Sequence, residues 1–246
     1  MKPLKAMIFA AGMGKRLGKI TSEIPKALVD LGGKSALQLA VEKLSSHGFE
    51  DIIINIHHHA PKMKREIGKI RELGNMITIS EENEQLLETA GGLYKARWFF
   101  DDRPFLLYNV DVITGLDLNA LYDFHLAGQG LATLAVHDHP DYRVFLADNK
   151  GLVKGWRNKK THEEIITGNP GILTEKAFTG IHVADPAIFK FMHEGICSMT
   201  TLYLELAATQ NIQTFSFNEG FFFDIGTPED LKNALAFISK QNSREK

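Results

Sequence analysis

The chain has 246 residues, 44% of them hydrophobic and 24% charged, enough to bury a sizeable core as one large domain or two small ones. A formal net charge of −2 excludes the general basic field that draws a protein onto nucleic acid or an anionic membrane, so any anion must be held by local groups. The lone Cys197 excludes an intramolecular disulfide, in keeping with a reducing cytoplasm, and no apolar window reaches the length of a signal core or a membrane span.

The first strand-length run is "AMIFA" (6–10), followed by a loop rich in glycine and basic residues, "AAGMGKRLGKITSEIPKAL" (10–28). "DIIINI" (51–56), "MITIS" (76–80), "FLLYNV" (105–110) and "LATLAV" (131–136) are also nearly continuous in apolar residues, the pattern of strands covered on both faces. Amphipathic stretches of helical length lie between them at 35–49, 60–74, 90–100 and 118–128. This alternation predicts an α/β fold of the Rossmann-like, three-layer α/β/α kind with a mixed, mainly parallel sheet. Ligands in such folds bind outside the carboxyl ends of the strands.

Beyond residue 137 the pattern changes. "YRVFLADNKGLVKGWRNK" predicts a hairpin turning at "DNKG", and "AFTGIHVAD" (177–185) another strand. Helices are expected over 186–195 and 200–210, then two strands around the turn "NEG" within 212–226. The last helix opens on Thr227 as N-cap, with Pro228 at its first position and acids in its first turn. No repeat, low-complexity segment or linker interrupts the chain, so a single domain over 1–246 is expected, with parts at about 1–136 and 137–246.

The loop after the first run fits neither well-known glycine pattern. A dinucleotide fingerprint counted from Gly12 would need glycine where Leu17 stands. A P-loop would need Ser or Thr after Gly14-Lys15, where Arg16 stands, and glycine in place of Phe9. Two readings stay open: a glycine turn with solvated basic residues, or a local anion cradle. In the second, Gly12 and Gly14 expose backbone N–H groups, Arg16 is a bidentate donor and Lys26 a second fixed cation.

The string A-G-x-G-x-R-L followed by P-K resembles the sugar-1-phosphate nucleotidyltransferases, whose loop usually reads G-x-G-T-R-L-x-P-x-T-x-x-x-P-K. Lys15 replaces the Thr and Lys19 the first Pro. Further segments resemble the same family in order. "LLYNVDV" (106–112) matches its N-x-D element with Asn109 and Asp111, and "FFFDIGTPEDL" (221–231) matches its closing element with Asp224. "LLETAGGLYKA" (86–96) matches the segment that reads the nucleobase, at Glu88, Thr89, Ala90 and Gly91. "FTGIHVADPAIF" (178–189) matches the strand lining the sugar pocket, at Thr179 and Gly180. Taken alone, each has a plainer reading: a turn or cap for either aspartate, a helix cap for Thr89, an ordinary buried strand for Thr179.

The resemblance runs from residue 5 to about 238 and implies a glycosyltransferase-A-like fold that transfers a nucleotidyl group from an NTP to a sugar 1-phosphate, releasing pyrophosphate. It implies catalytic roles for Arg16, Lys26, Asp111 and Asp224, with Mg²⁺ on the two aspartates. Ala10, Ala11, Gly12, Gly14 and Asn109 would bind the nucleotide, and the part from about 137 the sugar. The implied partners are small molecules, neither nucleic acid nor membrane, in the cytoplasm; the oligomeric state is not readable.

The "ETAGG" segment is similar to the E-T-G-G-G loop of the small uridylyltransferases acting on N-acetylmuramate 1-phosphate in cell-wall recycling. Guanylyltransferases for mannose or heptose 1-phosphate, cytidylyltransferases for phosphocholine, and a non-catalytic nucleotide-sugar-binding module on the same fold stay open. The family's E-K-P element is not found; Arg157, Lys159 and Lys160 read as a solvated hairpin end. Of the triplet His57–His59, at most two residues can share one face of a strand, and it reads as a loop after the strand rather than a zinc site.

Overall fold

The computed structural model describes residues 3–18, 21, 24–72, 74–138, 141–168 and 170–243. The chain divides into two compact units, one of residues 1–86, 108–116 and 220–246, the other of 87–107 and 117–219.

In the first unit, β1 (Lys5–Phe9), β2 (Asp51–Ile56) and β3 (Met76–Glu81) are parallel in the order β3-β2-β1, Lys5 standing beside Asp51 and Asp51 beside Met76. Ala6, Met7 and Ile8, like Ile52, Ile53 and Ile54, are fully buried, which is why these runs are apolar without alternation. The crossovers are α1 (Ala36–Ser45) and α2 (Ala60–Glu72). Ser35 caps α1 by accepting the Gln38 N–H at 3.1 Å, and Ala36, Leu37, Ala40, Val41 and Leu44 recur at helical spacing on its buried face. Met63, Ile67 and Ile70 do the same for α2.

The chain crosses from the second unit to the first within β4 (Phe105–Asn109) and continues into β5 (Val112–Thr114), a short strand that no apolar run announced. Strand β5 pairs antiparallel with β12 (Phe222–Asp224), and α6 (Pro228–Asn242) follows. Thr227 caps α6 as expected, accepting the Asp230 N–H at 3.2 Å, with Pro228 at the first position. Phe237 of α6 packs on Phe221 and Phe223 at ring separations of 4.5 and 5.3 Å, which fixes β12 to the helix.

The second unit holds β6 (Ala132–His137), β7 (Arg143–Ala147), β8 (Val153–Asn158), β9 (Glu163–Ile166), β10 (Thr174–Ala184) and β11 (Ile212–Ser216). Its helices are α3 (Glu88–Lys95), α4 (Leu118–Ala127) and α5 (Met199–Leu206). The β7–β8 hairpin at "DNKG" forms as predicted, and β9 extends it; all four β9 residues are exposed, so no apolar period marked it. Strands β6–β10 and β10–β7 pair antiparallel, β6–β11 parallel.

The sheet is thus mixed, with helices between strands, the α/β class expected from the alternation. Two local expectations change. The strands flanking "NEG" are not paired with each other, because β11 joins β6 and β12 joins β5. Residues 186–191 form a 3₁₀ helix instead of an α-helix, opened by Asp185 accepting the Ala187 N–H at 2.7 Å. Among the described residues, no helix is long and apolar enough to cross a membrane.

Candidate active site

The glycine loop leaves β1 through Ala10 and Ala11, both buried. Gly14 lies at φ +64° and its carbonyl accepts the Leu17 N–H at 3.0 Å and the Thr21 hydroxyl at 2.8 Å. A Cβ there would stand 3.0 Å from Thr21 Cγ2 and 3.1 Å from Lys26 Cβ, so glycine at 14 lets the loop fold on itself. Gly12 differs: it is exposed, and nothing lies within 4 Å of where its Cβ would be, leaving its backbone open to an approaching group. The Lys15 side chain and Lys19, the two departures from the family loop, lie outside the described residues.

The loop is anchored by Leu17, buried in a cluster with Val29, Leu31, Ala36, Ile225, Leu231 and Ala234. Burial of each Leu, Ile or Val side chain in it contributes about 1.5–3 kcal/mol relative to exposure. The anchors Leu17 and Ile225 each adjoin a charged residue, Arg16 and Asp224, so one apolar cluster locates both.

Asp111 and Asp224, remote in sequence, are brought together by the β5–β12 pairing, in which Asp224 faces Val112 and the Ile225 N–H donates to the Asp111 carbonyl at 2.9 Å. Lys26 stands at the pair. Its Nζ donates to Asp111 Oδ2 and lies 3.6 Å from Asp224 Oδ1, with only 11% of its side chain exposed. Arg16 Nη2 is 3.9 Å from Asp224 Oδ2 and half exposed, so its remaining donors face outward. Burial, then the charge of Asp111, raises the Asp224 carboxyl above its ordinary range, against Lys26 and Arg16, which lower it. Beneath the pair, the buried Tyr108 hydroxyl donates to the Val112 carbonyl at 2.8 Å. Burial and the Asp111 charge raise its pKa, so it stays a neutral donor bracing the turn.

A divalent cation fits these residues. Asp224 Oδ1 is buried and accepts no hydrogen bond, although the Lys26 ammonium stands nearby. Among the described residues no group of three or more His, Cys, Asp or Glu forms a complete metal cage. A pair of hard carboxylate oxygens suits Mg²⁺, which keeps waters and takes phosphate oxygens for the rest of its shell.

The other candidates take these places. Asn109 ends β4, half-buried. In the second unit, Glu88 opens α3 at φ +58°, exposed, while Ala90 and Gly91 are buried. Their N–H groups donate to the Cys197 carbonyl at 2.8 and 3.1 Å, and a Cβ on Gly91 would stand 2.2 Å from the Gly195 carbonyl oxygen. Those amides are thus engaged within the unit. Thr89 is not the helix cap: Leu87 holds that position, and Thr89 Oγ1 accepts the Met199 N–H at 2.8 Å. Thr179 is buried at a bulge of β10 against β6, with Gly180 at φ +80°. Its hydroxyl donates to the Ala135 carbonyl at 2.9 Å and accepts the Ile181 N–H at 3.2 Å, so it holds the bulge.

Arg157 pairs with Glu164 and Glu175 at 2.5 and 2.8 Å, Lys159 with Glu175 at 2.7 Å, and Lys160 stands over the Tyr142 ring. His57 Nδ1 bonds the Glu82 carbonyl at 2.5 Å, and the rings of His58 and His59 lie against each other.

Sequence reasoning missed three residues around the first unit's cluster. Gly226 is one, since a Cβ there would lie 2.9 Å from Arg16 Nη2 and 3.0 Å from Asp224 Oδ1. Asn55 and Glu82, both buried, are the others, connected to the loop through Ala10. The only signal for Asn55 was a polar residue near the end of an isoleucine run.

The family model described as nucleotidyl transferase matches residues 5–241. The chain is 28% identical over 238 residues to the N-acetylmuramate alpha-1-phosphate uridylyltransferase of Neisseria meningitidis serogroup B, covering 95% of this chain and 97% of that protein. It is 29% identical over 249 residues to the mannose-1-phosphate guanyltransferase of Yarrowia lipolytica, covering 97% of this chain but 66% of that longer protein. The solved inositol-1-phosphate CTP transferase of T. maritima shares the fold, with a TM-score of 0.79 at 17% identity over 98% of this chain and 96% of that one. A family match that begins at β1 and ends in α6 takes in the glycine loop, both aspartates and every strand between them: the chain belongs to the nucleotidyl transferase family.

Proposed function

We propose that this protein transfers a nucleotidyl group from an NTP to a sugar 1-phosphate, giving a nucleoside-diphosphate sugar and pyrophosphate. The observation that carries the reading is the cluster of Lys26, Asp111, Asp224 and Arg16 beside an open glycine loop. A sugar-phosphate oxygen attacks the α-phosphorus, forming the new O–P bond as the bond to the bridging oxygen of pyrophosphate breaks. The substrate supplies the nucleophile, so the protein contributes positioning and charge. Arg16 and the N–H groups at Gly12 and Gly14 hold the departing β and γ phosphates, and Lys26 neutralises charge at the α-phosphate. Asp111 and Asp224 would hold Mg²⁺, which supplies further neutralisation of the phosphate oxygens.

Glu88 and Thr89 are proposed to face the base, with Ala90 and Gly91 as its close-packed support. Thr179 and Gly180 shape the sugar side through the bulge and not through a free hydroxyl. The nucleotide is proposed to be UTP and the sugar N-acetylmuramate 1-phosphate. Support comes from the "ETAGG" segment and the near full-length match to the Neisseria protein. Guanylyl transfer to mannose 1-phosphate is the second reading, supported by the Yarrowia relative.

Pyrophosphate release with Mg²⁺, each of UTP, GTP, CTP and dTTP, and a panel of sugar 1-phosphates tests these readings. Release with UTP and N-acetylmuramate 1-phosphate is expected. Preference for GTP with mannose 1-phosphate would assign the second reading, and binding without release in any pair would make the chain a nucleotide-sugar-binding module.

A further inference from the structure

The loop's first amide is not offered to a ligand. Ala10, 6% exposed, donates its N–H to Asn55 Oδ1 at 2.8 Å, and the other end of the same amide, Asn55 Nδ2, donates to Glu82 Oε1 at 2.8 Å. Asn55 and Glu82 are 2% and 1% exposed, so both bonds lie in the interior, where leaving such a group unpaired is costly. Glu82 is itself fixed by its backbone: its N–H donates to the Ile56 carbonyl at 2.8 Å and its carbonyl accepts from His57 Nδ1. Asn55 stands beside Phe9 in the β1–β2 register, one residue short of the point where the chain leaves the sheet. A hydrophobic residue at this position would take these partners from the Ala10 N–H and the Glu82 carboxylate in the interior, so the amide both satisfies the two groups and ties the start of the loop to β2 and Glu82.

We propose that Asn55, braced by Glu82, is a positioning residue for the phosphate loop: it fixes Ala10, and through it the open backbone at Gly12. The inference rests on the proposed nucleotidyl transfer. It predicts an effect on the triphosphate and little on the sugar phosphate, because the relay reaches only the loop.

The test is a charge-neutral exchange. N55D keeps an acceptor for the Ala10 N–H but sets a second carboxylate against Glu82. N55D/E82Q restores a donor between the two side chains with its direction reversed. Steady-state kinetics on the wild type with its preferred substrate pair come first. N55D is then expected to raise the KM for the NTP about 10-fold, with the KM for the sugar 1-phosphate within about 2-fold, and N55D/E82Q to return the NTP KM to within about 3-fold of wild type. If N55D does not fold, N55S, too short to reach Ala10 and uncharged, is read in its place with the same expected rise.

A folded N55D or N55S with an unchanged NTP KM overturns the inference alone. So does a loss of Tm that the double variant repairs without any change in KM, since that is a purely structural role. A wild type that releases no pyrophosphate with any pair overturns the proposed function, and this inference with it.

Discussion

The Ile225 N–H donates to the Asp111 carbonyl at 2.9 Å, and this one backbone bond places the carboxylate of Asp224, the residue before Ile225, beside that of Asp111. The bond closes the β5–β12 ladder, and Ile225 is fully buried, so the spacing of the two acids is held by main chain and core and not by their own side chains. Lys26 pairs with both carboxylates, while the main-chain spacing does not depend on either of them.

Asp111→Asn is accordingly expected to leave the far-UV circular dichroism unchanged and to lower turnover about 100-fold or more, because a hard anionic ligand becomes a neutral amide. The same variant should lose most of any rise in Tm that Mg²⁺ alone gives the wild type. Near-normal pyrophosphate release, or an undiminished response of Tm to Mg²⁺, would remove Asp111 from the metal role.

Gly226→Ala tests the other side of the cluster. Its Cβ would crowd Arg16 Nη2 at 2.9 Å and Asp224 Oδ1 at 3.0 Å, and the guanidinium, being the free end of a flexible side chain, can move aside at little cost to the fold. The expected result is a Tm close to wild type with kcat/KM for the NTP lowered about 10-fold, as the displaced Arg16 no longer meets the phosphates. Unchanged kinetics would mean that the Arg16 position seen beside Asp224 does not matter to turnover.

Gly91→Ala should behave in the opposite way. Its Cβ would meet the Gly195 backbone carbonyl at 2.2 Å, a contact that only moving the main chain can relieve. Such overpacking costs about 1–3 kcal/mol, and a fall in Tm of roughly 2–12 °C is expected in a thermal melt. A melt indistinguishable from wild type would show that the Leu87–Gly91 and Gly195–Met199 segments are not held as tightly as their hydrogen bonds indicate.

His182 gives the second unit a pH dependence of stability. Burial pushes its imidazole down to about 3, and its Nδ1 pairs with the Tyr203 hydroxyl at 3.1 Å. An unfolded histidine titrates near 6.5, so between about pH 6.5 and 3 the unfolded chain binds a proton that the folded chain does not. Its contribution is fully present above pH 6.5 and falls on acidification, by at most about 1.4 kcal/mol per pH unit. His182→Gln, which keeps a partner for Tyr203 and does not titrate, should show a shallower loss of stability in urea unfolding between pH 6 and 4. Parallel pH profiles for the two proteins would count against the buried neutral imidazole.

Much of this fold is legible in the chain because its causes are local. Continuous isoleucine and leucine runs are strands covered on both faces, and "TPED" opens a helix through the hydroxyl of Thr227 and the fixed φ of Pro228. The glycine loop could be separated from dinucleotide and P-loop patterns by spacing alone, while its charges left a solvated turn and an anion cradle both open. Strand β9 escaped notice because its exposed residues carry no apolar period.

The arrangement of the site was decided by tertiary structure. Nothing near Asp224 in the sequence says that β12 pairs with β5 instead of the neighbouring β11, because strand partners are chosen by packing among distant segments. For the same reason Lys26 between two carboxylates, and Asn55 holding Ala10, are contacts the folded core makes between segments that are independent in the sequence. Local pattern determined which groups this protein carries. Only the burial of Leu17 and Ile225 in one cluster determined that Arg16 and Asp224 meet.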